Sequence, residues 1–190
     1  TPSAANRWVA EPDTKLCCAN MRVTQAAALL FTTVADARAA QVPENQWLYP
    51  RATAFCNHAV PVVQRTDLSR SVVARTAGRR AMDLAGITSE SLQHVDLYSC
   101  FPAAVQITAR ELGIPMERQL TVTGGMTFAG GPLNSYALHA TARMAEVLRA
   151  DPLSIGLVTS VSGFLTKFGA APWSTEPGVH GRRGADGTGP

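Results

Sequence analysis

The sequence predicts an α/β fold, a layered mixed sheet with helices on its faces. Three observations carry that expectation. Apolar stripes at helical spacing alternate along the chain with short β-prone runs, the order in which helices come to cover a sheet. The series closes on two adjacent β-prone runs joined at a glycine turn, which makes part of the sheet antiparallel. Apolar residues are 46% of the 190 residues and charged residues 16%, enough apolar side chain to fill one interior.

Taken in order, residues 23–41 are Ala-rich and read as one helix, although 28–34 (ALLFTTV) suits a buried strand as well; Pro43 ends the segment either way. Residues 47–56 read as a strand broken or edged at Pro50. Residues 71–85 place Val73, Ala77, Ala81 and Leu84 on one helical face, and Gly86 supplies the stop. A helix start at Thr88 leads into a short strand over 94–100. A helix over 102–112 begins at Pro102 and ends at Gly113, with Pro115 just beyond.

Residues 120–123 form a brief expected strand that runs into a loop with glycines at 124, 125, 130 and 131. Leu133, Tyr136, Ala137, Ala140, Met144 and Val147 then make the apolar stripe of a long helix. The closing strands are expected over 155–160 and 164–168, on either side of Gly163. Residues 178–190 are Gly-rich and read as a flexible tail, 1–14 as a lead-in, and 15–177 as the folded domain. The chain begins on Thr1 rather than Met, which suggests separation from something N-terminal.

A net charge of +3 is too weak a bias to predict nucleic-acid binding. Arg75, Arg79 and Arg80 read as a solvated helix face before they read as a phosphate site. Cys17, Cys18, Cys56 and Cys100 lack CxxC spacing and make a poor disulfide framework, and no signal peptide opens the chain. The expectation is no metal and a reducing, cytoplasmic setting. No apolar run reaches the ~18 residues of a membrane span. His58, His94 and His139 read as structural or surface residues.

Three segments concentrate unusual residues at the ends of expected strands: DLYSCF at 96–101, TGGMTFAGGP at 123–132 and TSVSGF at 159–164. In open α/β sheets, ligands bind in the crevice outside the strand C-termini. The glycine loop has neither phosphate-loop nor dinucleotide order, and a turn that needs positive φ explains it equally well. Tyr98 and Cys100 are two apart on a strand and should share a face, either as proton-handling groups of a pocket or as a core tyrosine with an inert thiol.

In this order and separation the three segments resemble the C-terminal half of thiolases, in particular the sterol-carrier-protein and lipid-transfer-protein branch, over residues 15–175. DLYSCF is similar to the branch's HDCF loop, which stands where other thiolases carry NEAF. FAGGP is similar to the loop carrying GHP, and TSVSG to the CxG loop. The resemblance implies a βαβαβαββ half, with a strand over 26–33 as the last strand of the other half. It implies acetyl-CoA acetyltransferase-like chemistry on an acyl-CoA thioester, with no covalently bound cofactor.

The family's nucleophilic cysteine belongs to the other half. Its GHP histidine corresponds to Gly131, its CxG cysteine best to Val161, and its NEAF asparagine to Tyr98. Each replacement removes proton-transfer or oxyanion chemistry. The implied site is Tyr98 and Cys100 for proton transfer, with Gly163, Gly130, Gly131, Pro132, Gly124 and Gly125 around the thioester. Implied partners are acyl-CoA and the missing N-terminal half, in the same or a separate chain, within a homo- or hetero-oligomer. The alternatives are a thiolase-like aldolase subunit for steroid side-chain CoA thioesters with an OB-fold partner, or a non-catalytic module.

Overall fold

The computed structural model describes residues 1–178 and 183–185. Most of the expected flexible tail therefore lies outside the described residues. Beyond Gly178 its described piece is a strand, β8 (Arg183–Ala185), which pairs in parallel with β4 (Ala52–Asn57). The chain opens on a small antiparallel pair, β1 (Trp8–Ala10) and β2 (Asp13–Thr14), and α1 (Val34–Ala39) follows. The main sheet runs β5 (His94–Asp96), β6 (Gly156–Ser162), β7 (Lys167–Ser174), β4, β8, and β3 (Tyr49–Pro50) also pairs with β7. It is mixed: β5 with β6 is parallel, while β6 with β7 and β7 with β4 are antiparallel.

Alternation along the strands builds two cores, one on each sheet face. Ala54, Val95, Leu97, Leu157, Phe168 and Ala170 meet α2 (Val72–Ala85) and α3 (Pro102–Leu112) on one side. Val158 and Trp173 meet α4 (Tyr136–Ala150) on the other, through Tyr136, Ala140, Met144 and Leu148. The expected layering is thus present, with helices on both faces of a mixed sheet. Where α2 crosses α3, a side chain at Gly78 would occupy the space of the Leu112 methyls, so glycine sets how closely the two helices approach.

The helix ends follow local chemistry. Ser71 caps α2, its hydroxyl accepting from the Ala74 N–H at 3.2 Å, and Gly86 and Gly113 end α2 and α3 in the left-handed region. Glu111, only 1% exposed, reaches from α3 to the start of α2. It accepts from Arg70 Nε at 2.8 Å and from the Ser71 N–H at 3.0 Å, with Arg75 Nε at 3.8 Å.

Four expected strands change. The strand expected over 26–33 does not form: the run has no regular secondary structure, and Leu30 is 91% and Phe31 62% exposed. A strand exists only through its ladder, and among the described residues the backbone of 23–32 has no hydrogen-bond partner. Residues 120–123 also form no strand. Only the Leu97 N–H reaches the Leu120 carbonyl, and the Asp96 side chain holds the Thr123 N–H at 3.0 Å in place of a ladder. The strand expected over 94–100 is ladder-paired only as β5. The closing strand starts at Lys167 rather than 164, because residues 163–166 make the turn. The helix expected over 23–41 is confined to α1, where the Thr33 hydroxyl accepts from the Asp36 N–H at 3.1 Å and sets its start.

Candidate functional site

Asp96 ends β5 fully buried, and its carboxylate organises the segment that follows. It accepts from the Thr123 N–H at 3.0 Å, the Thr123 hydroxyl at 2.8 Å and the Tyr136 hydroxyl at 3.0 Å. Burial pushes its pKa up, and these donors pull against that shift. The Thr123 hydroxyl also accepts from the Gly125 N–H at 3.1 Å and lies 2.7 Å from the Tyr136 hydroxyl. One carboxylate thereby fastens the entry of the glycine loop to the end of β5 and the start of α4. In the sequence Asp96 stands only as the first residue of DLYSCF, and its place between the apolar Val95 and Leu97 is the local sign of its burial.

Beyond Asp96 the chain alternates as expected. Leu97 enters the α2–α3 core, while Tyr98 and Cys100 turn toward the α4 side. Tyr98 packs edge-on against Tyr136, ring centroids 5.5 Å apart, and its N–H donates to the Thr159 hydroxyl at 2.9 Å. The Tyr98 side-chain hydroxyl has no hydrogen-bond partner among the described residues, in contrast to that of Tyr136. Burial, followed by the neighbouring Cys100, raises the Tyr98 pKa, and burial raises that of Cys100 against its backbone N–H contacts. At neutral pH both are therefore protonated: Tyr98 offers a hydrogen-bond donor, and Cys100 is a thiol rather than a thiolate nucleophile.

The glycine loop docks on this segment through Ser99, whose hydroxyl accepts from the Met126 N–H at 3.0 Å. Gly124, Gly125 and Gly130 all have φ near +90°, a conformation that favours glycine, so the turn explanation of the loop holds for these three. Gly131 has an ordinary φ, and Pro132 starts the turn that leads into α4, its carbonyl accepting from the Ser135 N–H.

Gly163 opens the turn between β6 and β7, where Gly163, Phe164 and Leu165 all have positive φ. The hydrogen bonds that anchor this turn from outside come from Arg65 to the Phe164 carbonyl at 2.6 Å, from the Ser71 hydroxyl to the Leu165 carbonyl at 3.1 Å and from the His58 N–H to the Thr166 carbonyl at 2.8 Å. Among the described residues none comes from 96–101 or 123–132. Since β5 and β6 run in parallel with Asp96 opposite Val158, Gly163 lies about three residues, roughly 10 Å, beyond the level of Tyr98. Tyr98, Cys100 and the glycine loop are joined directly, and Gly163 is one step removed. Val161 packs with the α2–α3 core, so the β6 side chains on the face of Tyr98 are those of Ser160 and Ser162.

An open groove of about 700 Å³ lies elsewhere, between residues 28–34, β3 and α4, with Phe31 against Trp173 (centroids 6.4 Å). Among the described residues, no helix is long and apolar enough to cross a membrane.

No protein-family model and no curated protein matches the chain. Among solved structures, it is similar to the crystal structure of a monomeric SCP2-thiolase-like protein type 1 from Mycobacterium smegmatis. The two share 32% sequence identity over 93% of this chain, with a TM-score of 0.81. The chain spans 39% of that protein's length. The fold is thiolase-like, as the three motifs imply.

Proposed function

We propose that this chain is the C-terminal, acyl-CoA-binding portion of a thiolase-like protein, and that by itself it does not carry out thiolysis. The observation that carries the reading is the half-buried Tyr98 hydroxyl. It is protonated, unpartnered and set at the end of β5 beside a loop built from glycines. A phenol placed in this way suits the carbonyl oxygen of a thioester, which accepts a hydrogen bond and gains charge when attacked. Cys100 is held as a thiol and does not replace the nucleophile that the resemblance places in another half. Gly131 and Val161 bring no acid–base group.

The partner in this reading is a complementary thiolase-like half. Residues 23–32 support it, since an apolar run whose backbone has no partner among the described residues is open to pairing with another chain. Calorimetric titration of the full chain with acetoacetyl-CoA and with free CoA tests the proposal. The thioester should bind more tightly than CoA, Tyr98→Phe should weaken it by about 3- to 10-fold for one lost hydrogen bond, and no thiolysis should be detected. Equal binding of thioester and CoA, with Tyr98→Phe neutral, would overturn it.

A further inference from the structure

Gly130 and Gly131 make room for the chain's own residues. A Cβ on Gly130 would stand 2.6 Å from Gln25 Oε1 and 2.9 Å from its Nε2, and one on Gly131 would stand 3.1 Å from the Ala19 Cβ. Both neighbours belong to one stretch without regular secondary structure, residues 18–25, which is fastened to both walls of the candidate site. The Ala19 N–H donates to the Cys100 carbonyl at 3.1 Å, and the Asn20 N–H to the Met126 carbonyl at 3.0 Å. The Gly131 N–H donates back to the Asn20 carbonyl at 2.8 Å, and the Thr127 hydroxyl to the Cys18 carbonyl at 3.0 Å. At the far end, Gln25 Nε2 donates to the Ala129 carbonyl at 2.7 Å.

These contacts make residues 18–25 a strap across the Tyr98–Cys100 segment and the glycine loop. Gln25 is its last fastened residue, because from Ala26 to Thr32 the backbone has no partner among the described residues. We infer that Gln25 is a positioning residue: through its amide it sets the Ala129–Gly131 stretch of the glycine loop and couples that stretch to the unpaired 26–32 segment. Apart from the positive φ of Gly130, a side chain at Gly130 or Gly131 would press on the strap, whatever ligand the crevice takes. Only the ligand-binding arm of the test rests on the acyl-CoA reading above.

Hydrogen–deuterium exchange on the full chain tests the coupling. Gln25→Met keeps the reach of the side chain and removes the donor, and Gln25→Lys keeps a donor. Gln25→Met should speed exchange of the Ala129, Gly130 and Gly131 amides by about tenfold while leaving α2 and α3 unchanged, and Gln25→Lys should restore much of the protection. Gly131→Ala should loosen the same stretch by pushing on Ala19, and adding Ala19→Gly should reverse it. In parallel, Gln25→Met should weaken acetoacetyl-CoA binding with no fall in the thermal midpoint, which a purely structural role would not produce.

Unchanged loop exchange in Gln25→Met, or failure of Ala19→Gly to rescue Gly131→Ala, overturns the strap. Faster exchange with undiminished acetoacetyl-CoA binding overturns the positioning role. If the parent chain does not bind acetoacetyl-CoA, the acyl-CoA reading fails, and the exchange data still decide whether Gln25 holds the loop.

Discussion

Thr123→Val isolates the device that sets the glycine loop, because valine keeps the shape of threonine and deletes only the hydroxyl. That hydroxyl donates to the buried Asp96 carboxylate and accepts from the Gly125 N–H. Losing a hydrogen bond to a charged group costs about 1.5–3 kcal/mol, and leaving a backbone N–H unpaired costs about 1–3 kcal/mol. The Thr123 N–H and the Tyr136 hydroxyl remain on Asp96, and water can reach the exposed Gly124 beside Gly125. The sum is therefore discounted to about 3 kcal/mol. For a chain of this size that is roughly 6–12 °C in Tm. Urea unfolding followed by circular dichroism measures it, and exchange at Gly125 should rise more than exchange in α2. A loss below about 0.5 kcal/mol, which is the range of ordinary surface substitutions, would refute the assignment of Thr123 and Asp96 as the anchor of the loop.

Two stability predictions follow from the remaining charges and backbone. Burial alone would raise the Glu111 pKa, but the Arg70 hydrogen bond, the Ser71 N–H and the Arg70 and Arg75 charges outweigh it and hold the carboxyl below the ordinary value of 4.5. Its stabilisation is thus present above that value and lost as pH falls through the lower folded one. Glu111→Gln should cost about 1 kcal/mol at pH 7, since Arg70 is half-exposed and its charge is screened. The cost should shrink as pH falls below 4.5, and a pH-independent difference in urea midpoints would contradict this. Phe164 is 80% exposed at φ +53°, so Phe164→Gly removes strain and little packing. The left-handed conformation costs about 1–2 kcal/mol and glycine's added chain entropy takes back part of it, so a net gain of about 0.5–1 kcal/mol should appear as a higher Tm. A lower Tm would contradict it.

What the sequence determined by itself were the features written in local backbone chemistry. Ser71 and Gly86 bound α2, and Pro102 and Gly113 bound α3, because a cap hydroxyl, a fixed φ or a left-handed glycine acts within a few residues of itself. The shared face of Tyr98 and Cys100 was likewise legible from alternation, and the ordered motifs carried the thiolase-like fold. Tertiary structure alone decided which β-prone runs became strands. Residues 28–34 have strand composition and no neighbour, and residues 120–123 lost their ladder to a side chain 24 or more positions earlier in the chain, at Asp96. It also decided where charge is buried and what the glycines are for. The partners of Glu111 are some 40 residues distant, and a side chain at Gly130, already disfavoured by its positive φ, would also meet Gln25, over 100 positions away. Ladder pairing, ion burial and close approach join residues that are remote in sequence, so no local pattern can announce them.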